Sequence, residues 1–204
     1  MIDQETSLPK GLFIIATPIG NLEDITLRAL DTLKKVDYIA CEDTRVTKKL
    51  LDRYAISKTL IRYDDYSDKY SRNKIIELIG NGNSIALVTD AGTPLISDPG
   101  YSLISKIQEM GLYVTTIPGP SALTAAITIS GICCNQFYFQ GFLPSKLTEK
   151  KHKLEELVKI ESSIILYESP KKLVTTLEII KLYFSKRKIS LIREITKIYE
   201  EVIR

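Results

Sequence analysis

Between two apolar patterns the chain carries Asp90-Ala91-Gly92-Thr93-Pro94-Leu95-Ile96-Ser97-Asp98-Pro99-Gly100. The preceding run, Ile85-Ala86-Leu87-Val88, is apolar throughout and predicts a strand buried on both faces. A helical pattern over residues 103–110 follows, and Gly111 is placed to cap its C-terminus. The loop is therefore expected at the carboxyl end of a buried strand, where open α/β sheets bind ligands. A loop that is merely tight is the alternative interpretation.

The composition is that of an ordinary globular protein. The 204 residues are enough for one large domain or two small ones. Hydrophobic residues make up 44% of the chain and charged residues 26%, which is typical of folded proteins. No apolar run approaches the length of a membrane span, and residues 1–10 lack the layout of a signal peptide. A cytoplasmic location and no membrane partner are the resulting expectations.

The cysteines and the one histidine exclude several kinds of site. Three cysteines do not make a disulfide framework, and none of them shows metal-ligand spacing, so no metal is expected. The only histidine, His152, stands among Lys150, Lys151 and Lys153, which is typical of a solvated helix face. Neither a zinc site nor a serine–histidine hydrolase fits this pattern.

Strand and helix patterns alternate along the first half of the chain, which predicts an α/β fold with a mainly parallel sheet and helices on both faces. Asp24 is the candidate N-cap of the first helix. The predicted strands cover residues 12–16, 38–41, 59–62, 85–88 and 113–117, and the predicted helices alternate with them at 25–35, 44–54, 70–79 and 103–110.

Pro118-Gly119-Pro120-Ser121 interrupts this series and predicts a domain boundary, with an N-terminal domain over residues 11–119 and a C-terminal domain over 120–204. The second domain is expected to hold a small sheet of three strands, at 137–140, 163–167 and 189–193. Residues 1–140 carry 14 basic and 16 acidic side chains, a net charge of −2, whereas residues 141–204 carry 14 and 9, a net charge of +5. The surplus in the second half is compatible with phosphate contacts or with a plain solvated surface.

The loops that follow the first-half strands are expected to share one edge of the sheet and to converge on one crevice. They contain neither the glycine pattern of dinucleotide-binding folds nor that of a P-loop. Because they are acidic and poor in lysine, they suit a ligand with a positive charge and ribose hydroxyls better than a polyphosphate. A sulfonium that carries a ribose fits this description, although the residues alone do not single it out.

Seven motifs occur in a fixed order, within a match that runs from about Gly11 to Glu201. They are ATPIGNLEDIT (16–26), CEDTR (41–45), DAGTPLISDPG (90–100), PGPSALTAA (118–126), FLPSK (142–146), YESPKK (167–172) and REITK (193–197). Together they resemble the ribosomal RNA small-subunit methyltransferase I family, within the tetrapyrrole methylase superfamily. The set TPIG, EDTR and YESP favours RNA over a tetrapyrrole as the substrate.

The resemblance implies a protein of two α/β domains that binds S-adenosylmethionine in the cleft between them, usually as a homodimer. It implies transfer of a methyl group to the ribose 2′-oxygen of a cytidine in the decoding region of 16S ribosomal RNA, either free or in the small subunit. By motif position, the residues expected to hold the cofactor are Pro18, Gly20, Asp90, Gly92, Thr93, Pro94, Ile96, Ser121, Ala122 and Tyr167.

A ribose hydroxyl is a poor nucleophile, so alignment and a group that takes its proton both contribute to the rate. Asp43, Glu168 and Lys197 are the candidate catalytic residues, with Glu194 as a further candidate base. The candidate RNA-binding residues are Arg45, Lys146, Lys171, Lys172 and Arg193. Ion pairing that holds the domains together is the alternative role for Glu168, Arg193 and Glu194, and plain solvated surface is the alternative for the lysines.

The chain departs from the family pattern in three places. The family usually has a histidine-containing motif where this chain has Tyr63-Asp64-Asp65-Tyr66-Ser67, and YESPHR is commoner than YESPKK. FLPSK also lacks part of a longer basic motif. These departures keep open the hypothesis of an assembly factor that binds ribosomal RNA without methylating it. A carbon methylase that acts on a tetrapyrrole is a third hypothesis, because the superfamily shares its cofactor site.

Overall fold

Five short strands near the N-terminus form one parallel sheet in the computed structural model, which describes residues 7–63 and 69–204. They are β1 (Gly11–Ile15), β2 (Tyr38–Cys41), β3 (Thr59–Arg62), β4 (Ser84–Val88) and β5 (Val114–Ile117). Their order is β3-β2-β4-β1-β5, and every neighbouring pair runs parallel. All residues of β4 are buried, as its unbroken apolar run predicts for a central strand covered on both faces.

Helices cover both faces of this sheet. They are α1 (Leu27–Lys35), α2 (Thr44–Arg53), α3 (Lys69–Gly80) and α4 (Tyr101–Glu109). The α1 and α2 helices pack with Phe13, Ile15 and Val88 on one face, and the α3 and α4 helices pack with Ile85 and Leu87 on the other. Because successive strand residues point to opposite faces, one strand supplies both cores.

The loops after β1 and β4 leave the sheet toward opposite faces. The first of them leads to α1 and the second to α4, although the two strands are hydrogen-bonded neighbours. In parallel α/β sheets, such a reversal opens a crevice at the carboxyl edge of the strands. The topology thus places the loop over residues 89–100 at the edge that the sequence predicts.

The chain divides into two compact units, Met1–Ala122 and Leu123–Arg204, called the N-terminal and C-terminal units below. The helix α5 (Ala122–Ile129) begins at the division, and the C-terminal unit continues with β6 (Phe137–Phe142), α6 (Leu147–Val158), β7 (Ser163–Tyr167), α7 (Leu173–Tyr183), β8 (Leu191–Arg193) and β9 (Glu201–Ile203). The β6 and β7 strands pair in parallel, and a small core of Leu143, Leu154 and Leu157 lies under α6 and α7.

Two local predictions are wrong. The C-terminal unit has two sheets of two strands rather than one of three, because β8 pairs antiparallel with β9, a strand too short to show a pattern. The N-cap of α1 is Thr26, whose side chain accepts from the Ala29 N–H, and not Asp24, which ends a 3₁₀ helix, Leu22–Asp24. In the part of the chain that the structure describes, no helix combines the length and apolar character needed to cross a membrane.

Candidate active site

The loops after β1 and β4 are joined by their backbones. The Thr17 N–H donates to the Gly92 carbonyl at 2.9 Å, and the Gly92 N–H donates back to the Thr17 carbonyl at 3.0 Å. The Thr17 hydroxyl also donates to the carbonyl of Thr89 at 3.2 Å. Thr17 and Gly92 are both buried. These bonds fix the start of the loop over residues 89–100 against the end of β1.

Side chains connect this loop to two further loops of the same edge. The Thr93 hydroxyl donates to the carbonyl of Pro120, in the loop after β5, at 2.9 Å. The Asp90 carboxylate accepts the backbone N–H of Asp43, in the loop after β2, at 3.1 Å. The structure therefore brings the four predicted loops together at one edge, and it engages Asp90 in holding that arrangement.

Asp43 and Arg45 form a closed pair at the start of α2. Asp43 is the N-cap, and its carboxylate accepts the backbone N–H of Arg45 at 2.8 Å. The Arg45 guanidinium donates to both oxygens of the same carboxylate, at 3.0 Å from Nε and 2.6 Å from Nη2. Arg45 holds the pKa of the Asp43 carboxyl well below its usual range. Each Asp43 oxygen thus accepts two hydrogen bonds from Arg45, which leaves little capacity for a further donor and disfavours Asp43 as the proton acceptor.

The second half of the loop is strained and acidic. Leu95 and Ser97 have positive φ angles of 71° and 65°, which cost non-glycine residues about 1–2 kcal/mol each. Burial raises the pKa of the Asp98 carboxyl, and the nearby charge of Asp90 raises it further against the opposite effect of Thr89. Strain of this kind is concentrated at ligand sites and switches.

The donor and acceptor groups of this edge fit S-adenosylmethionine. Residues 16–21, 89–100 and 118–121 include no lysine or arginine, and the Arg45 guanidinium lies on Asp43. The edge offers the carboxylates of Asp90 and Asp98 and the hydroxyls of Ser97 and Ser121, which suit a sulfonium and ribose hydroxyls respectively. A polyphosphate would meet only negative charge here.

The other predicted cofactor residues are distributed over both units. In the N-terminal unit, Pro18 and Pro94 are buried, Gly20 is exposed, and Ile96 has 36% of its surface exposed. Ser121 and Ala122 lie at the start of α5. Tyr167 lies in the C-terminal unit, where its ring packs edge-on against Phe139 and Phe142, with centroids 5.0 and 5.6 Å away.

The loops after β6 and β7 lie at the same edge of the C-terminal parallel sheet, and they hold three of the predicted RNA-binding lysines. The Lys172 ammonium donates to the Ser145 hydroxyl at 3.1 Å, which joins the two loops. The Lys146 ammonium lies 3.1 Å from Glu149, and Lys171 is exposed.

Glu168 follows the last residue of β7 and is held by two donors. Its Oε1 accepts the backbone N–H of Ser169 at 2.7 Å, and its Oε2 accepts the hydroxyl of Thr176 at 2.7 Å. The Lys150 ammonium donates to the Thr176 oxygen at 2.9 Å and lies 3.7 Å from Glu168 Oε2. Only 7% of the Lys150 side chain and 14% of the Glu168 side chain are exposed.

The pKa of Glu168 reflects this environment. Burial raises the pKa, but the hydrogen bonds from Thr176 and Ser169 and the charges of Lys150 and Lys172 lower it by more. The net pKa lies below the usual value for a glutamate, so this carboxyl is ionised at neutral pH. Its position at the carboxyl edge of β7 leaves it able to accept a further hydrogen bond from a hydroxyl.

The remaining candidates form ion pairs around the β8–β9 hairpin. Lys197 lies 3.2 Å from Glu194, and an ammonium has only donors and accepts no proton. Arg193 pairs with Glu201 on the opposing strand. The structure therefore favours a structural role for Arg193 and Glu194. The pairs lie inside the C-terminal unit, as does the Lys150–Glu168 pair.

The prediction for Lys150 is wrong, and Thr176 is missing from the predictions altogether. His152 and Lys151 are exposed as expected, whereas Lys150 is 6% exposed. The helical phase indicates the burial of Lys150, because Lys150, Leu154 and Leu157 are the buried residues of α6, at i, i+4 and i+7. Of the stretch that departs from the family pattern, Tyr63 is buried, and residues 64–67 lie outside the described residues.

The fold and its loop edge define a methylase of the tetrapyrrole type. The family model described as Tetrapyrrole (Corrin/Porphyrin) Methylases matches residues 11–204. The X-ray structure of a cobalamin biosynthetic enzyme, cobalt precorrin-4 methyltransferase, is similar to this chain with a TM-score of 0.69. The similarity covers 94% of this chain and 83% of the enzyme's chain. At 16% sequence identity this similarity shows the fold alone.

Curated relatives narrow the class to one family. Proteins named ribosomal RNA small subunit methyltransferase I are 46% identical in Rickettsia prowazekii (strain Madrid E), 48% in Bacillus subtilis (strain 168) and 44% in Thermotoga maritima, each over 95% of this chain. The chain spans 69%, 66% and 86% of these relatives' lengths. It belongs to the ribosomal RNA small subunit methyltransferase I family.

Proposed function

We propose that this chain is a methyltransferase that binds S-adenosylmethionine with its N-terminal loops and methylates the ribose 2′-oxygen of a cytidine in 16S ribosomal RNA. The observation that carries the proposal is the set of four loops that hydrogen bonds join at the carboxyl edge of the N-terminal sheet. Their carboxylates and hydroxyls suit a cationic ligand that carries a ribose. Family membership supports the RNA substrate.

When bound, S-adenosylmethionine supplies a methyl group on a positively charged sulfur, which leaves as a neutral thioether. The residues of this chain bind the cofactor and align it with the ribose hydroxyl. The backbone of residues 92–96 and the start of α5 are the proposed cofactor contacts, and the hydrogen bonds of Thr93 and Asp90 hold the loops together. Such alignment supplies much of the rate in a displacement between two bound groups.

Glu168 is the proposed acceptor for the ribose hydroxyl. As the new carbon–oxygen bond forms, the hydroxyl oxygen gains positive charge and its proton becomes strongly acidic. A carboxylate with a lowered pKa is then a sufficient acceptor, and it passes the proton on to solvent. Asp43 and Lys197 are less suited, because Arg45 donates two hydrogen bonds to each Asp43 oxygen and an ammonium accepts no proton.

The lysines at the edge of the C-terminal sheet are the proposed RNA contacts. Lys146, Lys171 and Lys172 lie on the loops after β6 and β7, and phosphate contacts by such side chains supply much of the affinity for nucleic acids. The partner is free 16S ribosomal RNA or the assembled small subunit. We further propose a homodimer that works in the cytoplasm.

The test is incubation of the protein with methyl-labelled S-adenosylmethionine and either small ribosomal subunits or protein-free 16S ribosomal RNA, followed by nucleoside analysis. We expect label in a 2′-O-methylcytidine. Cofactor binding by calorimetry without RNA product would instead indicate an RNA-binding assembly factor. Label in an added tetrapyrrole and none in RNA would overturn the RNA assignment.

A further inference from the structure

A buried chain of hydrogen bonds runs from Lys150 on α6 through Thr176 on α7 to Glu168. The proposed chemistry uses Glu168 but neither Lys150 nor Thr176. Lys150 has 6% of its surface exposed and Thr176 has 2%. Burying an ammonium is costly unless it is paired and hydrogen-bonded. Lys150 meets this requirement through the Thr176 hydroxyl at 2.9 Å and Glu168 Oε2 at 3.7 Å.

The direction of this chain is fixed by the chemistry of its first member. An ammonium only donates, so the Thr176 oxygen must accept from Lys150. The one hydroxyl proton of Thr176 is then left to point at Glu168 Oε2, 2.7 Å away. The other carboxylate oxygen receives the backbone N–H of Ser169, which also only donates. Both oxygens of Glu168 therefore act as acceptors, an arrangement that favours the ionised carboxylate because its two oxygens are the stronger acceptors.

We infer that Lys150, acting through Thr176, is a positioning residue that keeps Glu168 ionised and in one orientation for the ribose hydroxyl. The inference rests on the proposed function for the role of Glu168. Two fixed donors leave one lone pair on each carboxylate oxygen, which limits the directions from which a hydroxyl can approach. Lys150 and Thr176 thus act on the reaction without touching the substrate.

The charged groups that act on Glu168 are Lys150 on α6 and Lys172 at the N-cap of α7. Their charges and the Thr176 and Ser169 hydrogen bonds lower the Glu168 pKa, against the opposite effect of burial. Removing Lys150 takes away one lowering influence and leaves burial in place, so the pKa of Glu168 must rise. A reaction that needs the ionised form then loses rate at a higher pH than in the wild type.

The chain offers matched variants for the test. Lys150→Met removes the buried ammonium, Lys150→Arg keeps a cation, and Lys151→Met alters the exposed neighbour on the same helix. Thr176→Val removes the hydroxyl, Thr176→Ser keeps it, and Thr175→Val alters the exposed neighbour. Thermal melting defines a temperature at which every variant is folded, and all rates are compared there.

We expect Lys150→Met and Thr176→Val to lower kcat at least tenfold with unchanged affinity for S-adenosylmethionine. In Lys150→Met, the acid limb of the pH–rate profile should move upward by about one pH unit, a shift typical of losing a nearby opposite charge. Thr176→Ser should restore the rate, Lys150→Arg should restore the acid limb, and both neighbour variants should match the wild type. An unshifted acid limb in folded Lys150→Met, or wild-type kcat in Thr176→Val, would overturn the inference.

A carboxyl NMR titration of Glu168 separates this inference from the proposed function. If the Glu168 pKa rises in Lys150→Met but the wild type methylates no RNA, the proposed function fails. The inference that Lys150 keeps Glu168 ionised then still holds. If the wild type methylates RNA and neither the titration nor the acid limb moves, the positioning role fails alone.

Discussion

The two units build their loop edges in opposite ways. In the N-terminal unit, backbone groups do most of the joining: Thr17 and Gly92 exchange two hydrogen bonds, and the Pro120 carbonyl and the Asp43 N–H each bond a side chain. In the C-terminal unit, side chains bond one another, from Lys150 to Thr176 to Glu168 and from Lys172 to Ser145. The first edge is acidic and the second is rich in lysine.

This difference matches two kinds of ligand. A small cofactor needs a shape fixed by the backbone, because its contacts are short and its fit tolerates little movement. A nucleic acid is held largely through phosphates, for which exposed cations suffice, whereas a reacting hydroxyl needs one oriented acceptor. Under the proposed function, the N-terminal edge supplies a fixed shape for the cofactor, and the C-terminal edge supplies charge for the RNA together with a single oriented carboxylate.

The difference between the two loop edges is tested most directly at Glu168. Glu168→Gln keeps the size of the side chain and removes its charge, so we expect kcat to fall by about 10²-fold or more. The affinity for S-adenosylmethionine should not change. Labelled-methyl kinetics and calorimetry measure the two quantities, and Glu178→Gln on the exposed part of α7 is the matched control. Equal losses in the two variants would remove Glu168 from the reaction.

The charge of the C-terminal edge is tested at the start of α7. Lys171→Glu together with Lys172→Glu should weaken RNA binding by about 10- to 100-fold and reduce its dependence on salt, because two phosphate contacts are lost. RNA affinity at several salt concentrations is the measurement. Lys181→Glu, in the last turn of the same helix, is the control for charge alone. If the double variant loses cofactor affinity instead, these lysines support the fold and not the RNA.

The shape of the N-terminal edge is tested with a pair of glycines. Gly92 and Gly82 have φ angles of +86° and +83°, a region that costs an alanine about 1–2 kcal/mol. Gly82 lies in the turn before β4, away from the carboxyl edge. We expect Gly92→Ala and Gly82→Ala to lower the melting temperature alike, but only Gly92→Ala to weaken S-adenosylmethionine binding, by roughly 5- to 30-fold. Equal cofactor affinities would show that the site tolerates movement of this loop.

The sequence predicts the N-terminal unit well because its signals are local and strong. The buried run of β4 and the loop after it lie where the alternation of strands and helices puts them. Family membership and the fold are confirmed as well. The hairpin of β8 and β9 was not predictable in the same way, since strands of three residues carry no period and pair only through tertiary context.

The inner part of the C-terminal site escaped prediction for another reason. Lysine is rarely buried, so the sequence predicts that Lys150 lies on the solvated face with its neighbours. The helical phase of Leu154 and Leu157 pointed the other way, but phase alone does not say what a buried ammonium would pair with. Its partners, Thr176 and Glu168, lie 26 and 18 positions away along the chain, and only the packing of α6 on α7 joins them.

The smallest expected effect is at the Asp43–Arg45 pair, which tells whether the acidic edge takes part in the reaction. Asp43→Asn keeps an N-cap for α2 and loses the ion pair, and exposed pairs contribute little to stability. We therefore expect a melting temperature close to the wild type and a kcat within about threefold, far from the effect of Glu168→Gln. Arg45→Ala should raise the pKa of Asp43 toward its usual range, because the guanidinium is the largest of the influences that lower it. At neutral pH that carboxyl stays ionised in either case, so methylation by Arg45→Ala should show no new acid limb above pH 6.

A loss of kcat in Asp43→Asn as large as in Glu168→Gln would move the proton acceptor from the C-terminal edge to the N-terminal one. The division between an edge that supplies shape and an edge that supplies charge would then no longer hold.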